Sequence, residues 1–437
     1  MNAPCTARRG VFRGWDAAFL ANEFVRLVLV PDIGGRVMAY DLDHYPFLFV
    51  DPELAGKLFA PEENQGDGSL GAWKNYGGDK TWPAPQGWNT DEEWHGPPDP
   101  VLDSGRYTLD QLVEAGGAAT VRVTSPPDGR TGLRICRQFT LKPGSSRVEL
   151  SLTFRNISQR TVRWSIWDVV QLNAARTQPD GSLGPDVQRV ITAPVNPHSA
   201  YPKGYGVLFG AVDNPQWRVR EDGLFEACYQ WQIGKVALDS PAGWVAFSST
   251  GANAAWTASF NYQPDGDYPD GGASVEVWTT GAGQVGNLNY EDSGIYLMEA
   301  EVLSPLFTLE PGASATFPLE WASCQCDGVV VSVTPAGALT RPLAITREAN
   351  GSVRLVAAGG CFDAGVLHLR WRDAAGELLR ATPLGTVSPL QAAAVDQSEL
   401  PPHGAAQAEL TCVLHHGEAL QWSQTVFNQE GITYELA

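Results

Sequence analysis

At 437 residues, with 43% hydrophobic and 18% charged side chains, the chain is long enough for more than one packed core and too apolar for disorder. Thirty basic residues against forty-nine acidic ones give a net charge of −19, which repels phosphate backbones and excludes nucleic acid as an expected partner. Nowhere do about eighteen apolar residues run together and Met1–Trp15 holds no apolar signal run, so no membrane partner is expected and the expected location is cytoplasmic. Forty-six glycines and thirty-one prolines favour many short strands joined by turns, an all-β chain. Of seven scattered cysteines only Cys324 and Cys326 lie close, which fits free thiols better than a disulfide framework or a zinc site.

The first dense feature is Trp73-Lys-Asn-Tyr-Gly-Gly-Asp-Lys-Thr-Trp-Pro-Ala-Pro-Gln-Gly-Trp, followed by Trp94-His95; it holds four of fifteen tryptophans. Glycines and prolines break it, so an ordered irregular loop is expected. Indole faces beside Asn75, Asp79, Lys80 and Gln86 suit a sugar, whose C–H face packs on a ring while its hydroxyls need donors and acceptors. The alternative is that the indoles pin a long loop onto its own domain.

Further along, Val148-Glu-Leu-Ser-Leu-Thr-Phe154 alternates as a half-buried strand does, and Phe139-Thr-Leu-Lys-Pro-Gly before it makes residues 133–155 a hairpin. Phe307-Thr-Leu-Glu-Pro-Gly followed by Phe317-Pro-Leu-Glu-Trp321 repeats the phrase, which suggests two related sheet halves in one large domain. After Trp321 short strand candidates follow one another: Val329–Val333, Ser352–Ala357, Val366–Arg372, Glu377–Ala381, Ala408–Leu414 and Ala419–Val426. Leu367, Leu369 and Trp371 alternate with His368, Arg370 and Arg372. About 110 such residues fit a small immunoglobulin-like β-sandwich over 325–437, after a larger domain over 1–324.

Glu23-Phe-Val-Arg-Leu-Val-Leu-Val-Pro-Asp-Ile-Gly-Gly-Arg-Val-Met-Ala-Tyr40 resembles the opening of the galactose-mutarotase-like superfamily, a strand, a Gly-Gly turn and a second strand carrying Arg36. Asn75-Tyr-Gly-Gly-Asp-Lys, Trp82-Pro-Ala-Pro-Gln, Pro98-Asp-Pro-Val-Leu-Asp103 and Glu299-Ala-Glu-Val-Leu-Ser-Pro305 together resemble one bacterial branch of unknown function. The resemblance covers roughly residues 10–322. It implies a large antiparallel β-supersandwich whose concave face binds carbohydrate. Aldose epimerases of that superfamily use a glutamate base and two histidines. Here Tyr76 stands in the loop that would hold one histidine, and Trp164–Leu172 offers Asp168 and Gln171 where the other is expected. Only Glu299 aligns with the base.

Glu301, two residues on from Glu299, shares its strand face. Such a pair can poise one carboxyl for proton transfer, hold hydroxyls, or stand solvated on an outer face. His95, beside Trp94, is the best-placed histidine for an acid near neutral pH, or a loop residue with no role. The catalytic candidates are thus Glu299, Glu301, His95 and Tyr76. Arg36, Asn75, Asp79, Lys80, Trp82, Gln86, Trp88, Trp94, Asp168 and Gln171 are the substrate-binding candidates, and one concave surface is expected to gather them. Asp265-Gly-Asp-Tyr-Pro-Asp-Gly-Gly lacks EF-hand spacing and reads as a polar turn, so no metal is expected. With no P-loop, Gly-x-Ser-x-Gly, His-Glu-x-x-His or dinucleotide fingerprint, no cofactor is expected either. Two functions stand side by side: a carbohydrate-binding protein without catalysis, and a sugar-active epimerase, lyase or hydrolase using Glu299 or Glu301 with Tyr76, Lys80 or His95.

Overall fold

Alternation along Val148–Asn156 buries Val148, Leu150, Leu152 and Phe154 and turns Glu149 and Arg155 to solvent, as a strand covered on one face requires. In the computed structural model, which describes residues 3–291 and 293–427 and the backbone of Thr433 and Tyr434, this strand pairs antiparallel with Leu133–Leu141. The hairpin expected over 133–155 is therefore present. The chain is all-β, with 54% of residues in strands and 4% in helix.

Ten strands form the larger sheet, from Trp217–Val219 at one edge to Thr108–Ala115 at the other. A second sheet has seven strands, labelled here β1 (Asp79–Ala84), β2 (Val162–Asn173), β3 (Gly206–Gly210), β4 (Gly234–Leu238), β5 (Val275–Thr279), β6 (Leu297–Leu303) and β7 (Phe307–Leu309). Their spatial order is β3-β4-β5-β6-β2, and β1 and β7 each pair with β2 as well. The largest core brings together Val121, Phe139, Leu150 and Trp321 from the ten-stranded sheet and Val170, Val236, Val277 and Ala300 from the seven-stranded one. Burying each such side chain contributes about 1.5–3 kcal/mol, so this layer carries much of the fold.

Two sequence expectations change. The segment Asp79–Ala84, expected as irregular loop, is strand β1. Gly77 and Gly78 adopt φ of 94° and 72° to turn the chain into it, and a Cβ on either would strike the carbonyl oxygen of Phe49 or Val37. Pro83 is tolerated because β1 pairs only with β2, leaving its outer edge without a ladder to break. The second Pro-Gly phrase is not a hairpin either. β7 pairs with Val162–Trp164, whereas Ser314–Gln325 joins the ten-stranded sheet between Ala254–Phe260 and Val148–Asn156.

Beyond Gln325, a four-stranded and a five-stranded sheet enclose a separate core containing Leu355, Leu369, Trp371 and Trp422. Leu367, Leu369 and Trp371 point inward, as their alternation requires. Two strands that the sequence did not reveal, Gly337–Arg347 and Ala392–Glu399, complete the four-stranded sheet. Arg147 bridges the two regions, pairing with Glu320 on one side and Asp363 on the other. All seven cysteines are free. No helix among the described residues is long and apolar enough to cross a membrane.

Candidate functional site

Cross-strand register decides which side chains share a face of the seven-stranded sheet. Residues directly opposite one another lie on the same side, and the side alternates along each strand. Lys80 opposes Val169, Val169 opposes Glu301, and Glu301 opposes Glu276. One step along, Gln171 opposes Glu299, Glu299 opposes Trp278, and Trp278 opposes Lys235. One step the other way, Trp82 opposes Trp167. These three rows put the charged and indole side chains together on the sheet face opposite to Val170, Val236, Val277 and Ala300.

Loops close this face into a pocket of about 120 Å³. Trp73, Trp82, Trp167 and Trp278 wall it with Tyr290, Leu70, Pro97, Val285 and Leu297, and its polar lining is Gln86, Gln171, Lys235 and Glu299. Asn287 ties the rim together: its side-chain oxygen accepts from the Gly71 N–H at 2.7 Å, and its amide donates to Ser69 Oγ at 2.8 Å. Trp73 is oriented by donating to Asp103 at 2.9 Å, and Asp103 is held in turn by Arg36.

At the polar end, Glu299 Oε1 accepts from Lys80 Nζ at 2.9 Å and from Gln171 Nε2 at 2.7 Å. Its Oε2 has no hydrogen-bond partner among the described residues, and its side chain keeps 12% exposure. Gln171 Oε1 and Trp82 Nε1, both buried, also lack a partner among the described residues. Burial pushes the Lys80 ammonium below the ordinary lysine range, against the opposing pull of Glu299. Lys235 behaves oppositely. Burial would lower it, but Glu276 at 2.7 Å and Glu301 at 3.0 Å outweigh that and raise it. Burial raises the Glu276 and Glu301 carboxyls, with Lys235 pulling the other way.

The sequence-selected residues therefore divide. Lys80, Trp82, Gln171, Glu299 and Glu301 share the pocket face, although Glu301 lies behind the wall, accepting from Trp167 Nε1 at 2.8 Å. Gln86 reaches the rim from its loop. Asp79 and Asp168 point the opposite way, into the core: Asp79 pairs with Arg137, and Asp168 accepts from Trp321 Nε1 at 3.2 Å. Burial raises both carboxyls, Asp168 well above the usual range with Asp79 adding to the effect. Arg36 does not line the pocket; it holds Asp103 and the Gly77 carbonyl. Tyr76 is buried against Trp15, where burial lifts its phenol to about 12. Asn75 is buried and accepts from the Gly77 N–H at 3.4 Å. Trp94 is a buried anchor behind Trp82, donating to Asp99 at 2.8 Å. Trp88, 70% exposed, and His95, also exposed, stand outside the pocket wall. Expecting all of these on one concave surface overlooked strand parity: neighbours in β1, and residues three apart in β2, face opposite ways. Trp167, Lys235, Glu276 and Trp278 were not singled out, although Glu276 and Trp278 carry the same two-residue spacing as Glu299 and Glu301.

The solved structures to which the chain is similar include the Slr1438 protein of Synechocystis, at 13% identity and TM-score 0.46 over 72% of this chain and 99% of that one. A galactose mutarotase-like protein of Lactobacillus casei matches at 12% identity and TM-score 0.44, over 70% and 99%. A protein of Klebsiella pneumoniae described as a putative aldose 1-epimerase matches at 11% identity and TM-score 0.49, over 72% and 83%. A family pattern also matches residues 17–323, the region that supplies every residue of the pocket, and by that match the chain belongs to the family described as Domain of unknown function (DUF4380).

Proposed function

We propose that the pocket on the seven-stranded sheet binds a carbohydrate. The observation that carries this reading is a partly exposed carboxylate within indole walls: Glu299 keeps 12% exposure among Trp73, Trp82, Trp167 and Trp278, and two other side chains of the lining, Gln171 and Trp82, each hold a buried polar atom with no partner among the described residues. A hydroxyl both donates and accepts, so a sugar satisfies such a set while its C–H face packs on an indole. A cavity of about 150 Å³ holds benzene, a ring without substituents, so a pocket of about 120 Å³ takes in one edge of a sugar ring or a chain end and leaves the rest of the ligand outside.

A catalytic reading is favoured by one contact. Lys80, itself buried behind the lining, lies 2.9 Å from Glu299, whereas Tyr76 is packed against Trp15 and His95 is exposed outside the wall. A buried lysine whose ammonium is weakened, beside a carboxylate, is an acid–base pair suited to moving a proton on a sugar hydroxyl.

Calorimetric titration with a panel of mono- and oligosaccharides tests binding, and polarimetry on free aldoses tests turnover. Binding of at least one sugar is expected, weakened about fivefold by Trp278→Ala, which removes one aromatic platform. No binding anywhere in the panel overturns the proposal. If turnover accompanies binding, Glu299→Gln should cut the rate by about two to four orders of magnitude. An unchanged rate removes Glu299 as the base.

A further inference from the structure

Lys235 takes no part in the acid–base pair, yet it lines the pocket with 15% of its side chain accessible. An ammonium has three N–H donors in a roughly tetrahedral spread. Two carboxylates flank it at ion-pair distance, Glu276 Oε2 at 2.7 Å and Glu301 Oε2 at 3.0 Å, which leaves an N–H for the pocket. The ammonium also sits 4.2 Å from the centre of the Trp167 ring, which fixes it laterally against a pocket wall. Two carboxylates on adjacent strands and an indole thus hold one lysine head rigidly, more support than a structural ion pair on a strand face needs.

On the reading that the pocket binds carbohydrate, we infer that Lys235 is a specificity-determining residue, its third N–H donating to one particular oxygen of the bound sugar. Glu276 and Glu301 are positioning residues that keep this donor charged and aimed. The pocket then presents a fixed cationic donor from β4 and the Glu299 carboxylate from β6, on either side of Trp278 in one cross-strand row. A sugar bearing an acceptor and a donor at matching separation satisfies both, and a sugar that lacks the acceptor leaves a buried charge short of a partner.

The test is a cycle between protein and ligand. D-glucose, D-galactose and D-mannose, with their monodeoxy forms, are titrated calorimetrically into wild-type protein and into Lys235→Met. One deoxy position should cost about tenfold or more in wild type, as expected for losing a hydrogen bond to a charged group, and about twofold or less in the variant. A merely structural lysine lowers every affinity in parallel, with no position singled out, and that pattern overturns the inference. If Lys235→Met does not fold because Glu276 and Glu301 lose their cation, the same cycle is run on Lys235→Met combined with Glu276→Gln and Glu301→Gln, in which the opposing charges are removed together. The two failures are distinguishable. Sugars that bind with no coupling to position 235 remove Lys235 alone; where none of the three binds, the cycle is run on the sugar of the wider panel that does, and no binding anywhere in that panel overturns the carbohydrate reading and this inference with it.

Discussion

Asp79 and Lys80 are neighbours in β1, yet they serve opposite sides of one sheet: Lys80 meets Glu299 at the pocket, and Asp79 meets Arg137 inside the core. Asp79 also accepts from the Val37 N–H at 2.6 Å, and Arg137 donates to the Gly35 carbonyl at 2.6 Å, so the pair ties β1 to the segment Gly35–Val37. Both side chains of this pair are fully buried.

Asp79→Asn should therefore act on stability. Breaking a buried pair leaves an uncompensated charge and costs about 3–5 kcal/mol, measured by denaturant unfolding. A loss under about 1 kcal/mol would mean that Arg137 finds other partners.

Asp168→Asn should behave differently. Burial, with Asp79 nearby, holds the Asp168 carboxyl well above its usual range, so the folded protein keeps a proton there that the unfolded chain releases near pH 4. Stability from this group is complete below that pH and declines as pH rises toward the folded value. Asparagine retains an oxygen for Trp321 Nε1 and has no proton to lose. At pH 7–8 the variant should match or exceed wild type in Tm, with the gap closing toward pH 4. A variant that is less stable at pH 8 contradicts this.

The indoles make separable predictions. Trp278 lines the pocket, so Trp278→Ala should weaken sugar binding by about 1 kcal/mol. Trp88 is 70% exposed and off the wall, so Trp88→Ala should leave affinity and Tm within about 0.5 kcal/mol of wild type. Equal losses from both, by calorimetry, would place the ligand outside the pocket.

The sequence revealed strands where alternation was clean, as in Val148–Asn156 and Gly365–Arg372. It concealed Gly337–Arg347, where register shifts near Leu339 and Arg341 break the two-residue period, and Ala392–Glu399, whose alanines and acids have weak strand preference. Within the site, Glu299 beside Glu301 was legible because two-residue spacing fixes a shared face. Parity could also have separated Asp168 from Gln171. Lys235 left no such trace, because its carboxylates come from two other strands and are brought to it only by sheet order.

The most direct test of sugar binding at the β6 face is a crystal structure with the tightest-binding sugar from the calorimetric panel. The expected result is one ring packed on Trp82, Trp167 or Trp278, with a hydroxyl within about 3 Å of Glu299 Oε2, ordinary hydrogen-bond distance. A sugar seated instead against Trp88 and His95, with none in contact with Glu299 or Gln171, would contradict it.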